Sequence, residues 1–128
     1  MSKTLLVTDD ALIIREMIKD AMTAAGWTIV GQATNGQEAI EQYRELRPDA
    51  MTLDLVMPEF DGLHALRGVT AFDPDARICV VSALEQRQVL KDAFKLGASD
   101  FIVKPFDKQV LVDTLEKLVA VTCPSPAD

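Results

Sequence analysis

Short continuous apolar runs alternate along the chain with longer stretches whose apolar residues recur every three or four positions. "TLLVT" (4–8) is apolar enough for a strand buried on both faces. After it, Ile14, Met17, Ile18, Ala21, Met22 and Ala25 keep the i, i+3, i+4, i+7 spacing of a helix, and Gly26 suits its C-cap. "WTIVGQA" (27–33) is a second strand, and Asn35-Gly36 opens a polar-faced helix that stops before Pro48. "DAMTLD" (49–54) is a third strand, followed by a helix in "DGLHALRGVTAF" with Asp61 as N-cap. "RICVVSA" (77–83) is a fourth strand, with a fourth helix closed by Gly97. "SDFIV" (99–103) is a fifth strand, and "DKQVLVDTLEKLVAV" is the last helix.

Strand and helix thus alternate five times without a repeat period or a linker. That pattern predicts a doubly wound α/β fold, (βα)5, with a five-stranded parallel sheet and helices on both faces. The flavodoxin-like order 2-1-3-4-5 is expected, with ligands bound outside the carboxyl ends of the strands, where strands 1 and 3 meet.

Composition narrows the classes. A chain of 128 residues makes one domain with a single real core, and 48% hydrophobic with 26% charged residues is ordinary for a globular protein. A net charge of −7 and a pI near 4.6 leave no basic stripe for nucleic acid. No run reaches membrane-spanning length and residues 1–15 lack a signal-peptide layout, so the expected compartment is the cytoplasm. Cys79 and Cys123 have no CxxC partner and read as reduced and structural. The single histidine, His64, reads as a surface residue near a helix start.

The strand ends carry the chemistry. Strand 1 ends in Asp9-Asp10, strand 3 in Asp54, strand 4 in Ser82 and strand 5 in Lys104-Pro105. In the order 2-1-3-4-5 these strands are neighbours, so three carboxylates, a hydroxyl and an ammonium face one crevice. Three carboxylates together repel, and a hard divalent cation removes the conflict. Oxygen-only ligands fit Mg²⁺ or Mn²⁺. Lys104 adds a point charge and Ser82 a neutral donor, a set that suits a phosphoryl group on Asp54, because a carboxylate can form an aspartyl-phosphate. Read singly, Asp9 or Asp10 also suits an N-cap of the first helix, Ser82 a cap of the fourth, and Lys104 a surface lysine. Asp54, set in "MTLDLVM", is the hardest to read that way, since an ionised carboxylate in apolar surroundings needs a partner.

With "LLVTDD", "LDLVMPEFDG", "VVSA" and "DFIVKPF" in this order and spacing, the chain resembles the receiver domain of two-component response regulators, over residues 3 to about 120. Within that family it looks most like the single-domain chemotaxis regulators. The resemblance implies a receiver over 3–121 and a flexible tail over 122–128. It implies a phosphorylation-activated switch rather than an enzyme acting on other molecules. Asp54 would accept phosphate from a histidine kinase or a histidine phosphotransfer domain. Asp10, Asp54 and the main-chain carbonyl of Val56 would ligate Mg²⁺, with Asp9 in support. Lys104 would contact the phosphoryl oxygens, Ser82 would hydrogen-bond them, and Phe101 would swing inward. The family often has Tyr where Phe101 stands, so a hydroxyl-dependent output contact is absent. The Lys104–Pro105 bond would be cis. The output surface would be the fourth helix, fifth strand and fifth helix, facing a flagellar-motor switch protein if the chemotaxis likeness holds.

Three finer expectations follow. The apolar residues Val110, Leu111, Val112, Leu115, Leu118 and Val119 spread wider than the roughly 100° stripe of one buried face, so the last helix is either a docking surface or tightly buried. Leu12 falls off the first helix's apolar stripe, as a kinase contact or simply an exposed leucine. The resemblance makes Val56 and Leu84, two residues after Asp54 and Ser82, the positions that tune hydrolysis; both are apolar, which predicts slow loss of phosphate.

Other readings use the same residues. A flavodoxin-like cofactor binder would want a Gly/Ser/Thr-rich loop where Asp9-Asp10 stands, although a phosphate-independent interaction module shares the fold. A haloacid-dehalogenase-type phosphatase needs a second Asp where Val56 stands. The receiver of a longer transcription factor also fits, with "PSPAD" as the start of a linker.

Overall fold

The computed structural model describes residues 3–57, 61–83 and 87–120. In chain order these hold β1 (Thr4–Thr8), α1 (Leu12–Ala24), β2 (Thr28–Ala33), α2 (Gly36–Leu46), β3 (Ala50–Leu53), α3 (Gly62–Phe72), β4 (Ile78–Ser82), α4 (Arg87–Lys95), β5 (Asp100–Val103) and α5 (Lys108–Ala120). The sheet is parallel throughout, in the order β2-β1-β3-β4-β5.

The continuous apolar runs are explained by a core on each face of the sheet. Leu6, Leu53 and Val80 point to one side, where Ala39, Ile40, Tyr43, Leu66, Val69 and Ala93 of α2, α3 and α4 cover them. Leu5, Val7, Cys79 and Val81 point to the other, under Ile18 and Met22 of α1 and Leu111, Leu115 and Val119 of α5. With side chains alternating between faces and both faces covered, neighbouring residues are all apolar. Burial pushes the Cys79 thiol up to about 12, with the Asp100 charge adding to it, which fits its reading as reduced and structural.

Local signals place most boundaries. Asn35 caps α2 by accepting from the Glu38 N–H at 2.9 Å, while Glu38 Oε1 accepts from the Thr34 N–H at 2.7 Å. Asp61 caps α3 by accepting from the His64 N–H at 3.0 Å. Gly97 (φ +115) ends α4, and a Cβ there would meet Thr70 Cγ2 at 2.7 Å. Other boundaries differ from expectation. The C-cap of α1 is Ala25, and Gly26 (φ 95) takes the left-handed turn one residue later. Ala25 is exposed rather than on the buried stripe. Trp27 precedes β2, buried, and its Nε1 donates to Glu116 at 3.0 Å. Neither Asp9 nor Asp10 caps α1; its N-cap is Ala11. His64 is half-buried, its Nε2 2.9 Å from Gln37 Oε1.

α5 resolves in favour of burial: Leu111, Leu115 and Val119 are buried, Val112 and Leu118 pack against the same core, and Val110 stands exposed. No helix among the described residues is long and apolar enough to cross a membrane. Leu84, Cys123 and the 122–128 tail lie outside the described residues.

Candidate functional site

Each residue singled out at a strand end lies where its strand leaves the sheet. The Asp54 N–H donates to Thr8 O at 3.0 Å and the Lys104 N–H to Ser82 O at 2.9 Å, so the ladder runs on one residue past β3 and β5. This fixes Asp54 beside the end of β1 and Lys104 beside the end of β4. Asp9 and Asp54 are buried, at 1% and 5% exposure, while Asp10 is exposed.

Lys104 joins the two buried carboxylates. Its Nζ is 2.8 Å from Asp9 Oδ2 and 3.4 Å from Asp54 Oδ2. The remaining oxygens bind main chain: Asp9 Oδ1 accepts from the Ala11 N–H at 2.9 Å, and Asp54 Oδ1 from the Val56 N–H at 3.2 Å. Asp9, Asp10 and Asp54 each offer an oxygen within 4.8 Å of the others. Among the described residues, the buried Ser82 Oγ has no hydrogen-bond partner.

One lysine does not balance three carboxylates. Burial raises the Asp54 carboxyl above its ordinary value and the Asp9 charge adds to it, against Lys104 and the Val56 N–H. Burial works to lower the Lys104 ammonium, but the Asp9 hydrogen bond and the Asp54 charge outweigh it and leave the ammonium raised. A pocket that keeps its lysine charged and still disfavours a carboxylate is short of positive charge. A set of hard oxygen donors with that deficit fits a divalent cation of the Mg²⁺ type.

Residues 5–116 match the family profile of the response regulator receiver domain.

The chain belongs to that family. It is 47% identical over 118 residues to the chemotaxis protein CheY of Thermotoga maritima, covering 92% of this chain and 98% of that one. It is 42% identical to the Bacillus subtilis CheY over 117 residues, covering 91% and 98%. Its fold matches the response regulator domain of Thermotoga maritima CheB at TM-score 0.82 and 32% identity, covering 98% and 100% of the two chains. It also matches a chain of the CheX–CheY–BeF3–Mg²⁺ complex from Borrelia burgdorferi at TM-score 0.83 and 32% identity, covering 95% and 90%. Receiver domains are signalling switches rather than conventional enzymes, and magnesium and phosphorylation are typical of the family.

Within this receiver, Asp9, Asp10, Asp54 and Lys104 come together in one pocket, with the Val56 N–H bound to Asp54 and the Val56 side chain 56% exposed. Ser82 opens onto a cavity of about 10 Å³ lined by Leu55, Val80, Ala83, Leu90, Phe101 and Val103. Phe101 is partly exposed, and the Lys104–Pro105 bond is cis. Leu12 and Ile13 stand exposed on the first turn of α1, just after the acidic pair.

Two residues that the strand ends did not reveal also shape the pocket. Arg15 Nη1 donates to the Asp9 carbonyl at 2.8 Å and its Nε to Gln32 Oε1 at 3.1 Å, tying the acidic turn to α1 and to β2. Gly62 carries no side chain because a Cβ there would lie 2.6 Å from Asp54 O and from Leu55 Cα. Its N–H donates to Leu55 O at 3.1 Å, so α3 begins directly against the segment that bears Asp54. The signal for Gly62 was its place after the capping Asp61; Arg15 had none beyond lying one turn past the acidic pair.

Proposed function

We propose that this chain is a phosphorylation-operated switch in which Asp54 accepts a phosphoryl group from a phosphohistidine, within chemotactic signalling in the cytoplasm. The observation that carries this reading is the Lys104 ammonium held between Asp9 and Asp54 in a pocket still short of positive charge. The donor is a histidine kinase or a histidine phosphotransfer domain. Asp54 attacks phosphorus, a P–O bond forms, and the P–N bond breaks with its electron pair leaving on the imidazole. Lys104 is placed to meet the charge on the transferring oxygens, which is where fixed positive charge lowers a phosphoryl-transfer barrier. Asp10, Asp54 and the Val56 carbonyl would hold Mg²⁺ (or Mn²⁺), with Asp9 in support. The ion would supply the positive charge that the pocket lacks. Ser82 ends β4 next to Lys104, and its buried hydroxyl, which has no partner among the described residues, would bond a phosphoryl oxygen.

Output is read from α4, β5 and α5. Ser82 drawn toward the phosphate leaves room on the β4–β5 side for Phe101, and the surface around Phe101 changes. A flagellar-motor switch protein is the partner if the system is chemotactic. The test is intact-protein mass after incubation with acetyl phosphate or phosphoramidate, with and without Mg²⁺. The expected result is one Mg²⁺-dependent, base-labile phosphoryl adduct, absent from Asp54→Asn. No adduct with either donor and either metal condition would leave a phosphate-independent interaction module.

A further inference from the structure

Phe101 sits opposite Val80 in the parallel register of β4 and β5, so it lies on the face of the sheet that α4 covers. β5 is the edge strand, and Phe101 is 38% exposed there while also forming one wall of the cavity beside Ser82. There it meets Phe94. The ring centroids are 6.0 Å apart and the planes are at 85°, an edge-to-face pair in which both rings remain about two-fifths exposed (38% and 42%).

The inner alternative is closed. Between Phe101 and Ser82 lies a cavity of about 10 Å³, room for one water and not for a phenyl ring. Its other walls are Leu55, Val80, Ala83, Leu90 and Val103, so an inward ring must displace Ser82 or Leu90. On the reading above, a Phe101 ring that moved toward Ser82 would give up its contact with Phe94.

We propose that Phe94 is a positioning residue of the switch: its ring edge holds Phe101 in the outward, resting position and sets how much of the switch is on without phosphate. This rests on the reading above that Phe101 moves with Ser82. Two features favour a latch over incidental packing. Phe94 follows the buried Ala93 on the exposed side of α4, where its large apolar ring gains little from the core. Phe101 also lacks the hydroxyl by which a tyrosine would be held at the surface through hydrogen bonds, which leaves the ring pair as its outward tether among the described residues. An edge-to-face pair of this kind shifts a two-state equilibrium about two- to twelvefold.

The test uses full-length protein labelled with fluorophenylalanine, with the Phe101 resonance assigned by Phe101→Leu. Chelator sets the resting position of the signal, and beryllofluoride with Mg²⁺, a phosphoryl mimic, sets the switched one. Phe94→Ala without any donor should move the resting Phe101 signal toward the switched position, by a change in inward odds of about two- to twelvefold. Phe94→Leu, which keeps apolar bulk without a ring edge, should move it the same way, and Phe94→Trp should leave it near wild type. A resting signal in Phe94→Ala and Phe94→Leu that coincides with wild type overturns the latch, provided wild type itself responds to beryllofluoride. A wild-type signal that beryllofluoride does not move overturns the reading of Phe101 as part of the switch, and the latch with it.

Discussion

The two ends of the sheet treat polar groups in opposite ways. At the amino ends of the strands they are paired off. Asp49 Oδ2 accepts from the Thr4 N–H at 2.7 Å and the Thr4 hydroxyl at 3.1 Å, and Ser99 Oγ accepts from the Ile78 N–H at 3.1 Å. Tyr43 donates its hydroxyl to Asp73 Oδ2 at 2.7 Å in the same region, where burial first and the Asp73 bond second raise the phenol. At the carboxyl ends, three carboxylates cluster with Lys104 bridging Asp9 and Asp54, and the Thr8 and Ser82 hydroxyls, with that of Thr52 two residues before Asp54, are buried with no partner among the described residues. Among the described residues, these amino-end groups form hydrogen bonds that close the fold. The carboxyl end is unfinished, and what it lacks is a cation and a group of acceptor oxygens. Unsatisfied polarity collected in one place marks a site that binds something.

This contrast can be broken by substitutions that ought to separate stability from chemistry. The largest effect is expected from Lys104→Met. It removes the ammonium that pairs with the Asp9 and Asp54 carboxylates, and phosphorylation by acetyl phosphate should slow by about 100-fold or more, followed by intact mass against time. The same variant should lose about 1–3 kcal/mol of stability in urea, less than a fully buried pair because Lys104 keeps 22% exposure. A Lys104→Met protein phosphorylated at the wild-type rate would end the assignment of its role.

Next in size is the lifetime of the phosphate. Val56 is exposed and apolar beside Asp54, and nothing on its side chain can guide a water. Val56→Asn with Leu84→Glu should shorten the half-life of the adduct by about tenfold, as a positioned polar group would. An unchanged half-life would remove these positions from the account.

The amino end should behave in reverse. Asp49→Ala strands the Thr4 N–H and hydroxyl, and should cost about 1–3 kcal/mol in urea melts while leaving the yield and rate of phosphorylation at wild type. A matching fall in phosphorylation would blur the separation between the two ends.

The smallest effect is the most diagnostic of unfinished charge. The Asp54 carboxyl is raised in the folded protein, so between the ordinary 3.8 and that raised value the folded chain keeps a proton that the unfolded chain has released. Stability then falls as pH rises through that window and stays lowered above it. In chelator at pH 7, Asp54→Asn should therefore be more stable than wild type in urea melts, with the gap closing as pH drops toward the carboxylate range. A functional carboxylate held at a cost predicts this sign; a carboxylate kept for stability predicts the opposite.

The strands and the residues that end them were legible because the physics that writes them is local and one-dimensional, whereas the strand order came from the arrangement that doubly wound sheets commonly take. A strand buried on both faces must be an unbroken apolar run, as "TLLVT" and "ICVVS" are, and a polar residue ending such a run must lie at the sheet's edge. Asp9, Asp54, Ser82 and Lys104 all follow from that rule once the strand order is known. What escaped depends on approach between segments distant in sequence. Gly62 looked like a helix start, but it is small because α3 begins against the Asp54 backbone. Phe94 was not singled out within the fourth helix, and only the path of α4 along the edge strand brings it to Phe101. The breadth of apolar residues on α5 left docking and burial open, and three-dimensional packing against β1, β4 and α1 settles most of it as core.

The central claim is that Asp54, and no other residue, takes the phosphoryl group. Borohydride reduction of the acetyl-phosphate-treated protein, followed by peptide mass mapping, tests it most directly, because an acyl phosphate is reduced to the alcohol and turns an aspartate into homoserine. The account predicts homoserine at position 54 alone, formed only when Mg²⁺ was present during phosphorylation. Homoserine at Asp9 or Asp10, or an adduct that survives in Asp54→Asn, would contradict it.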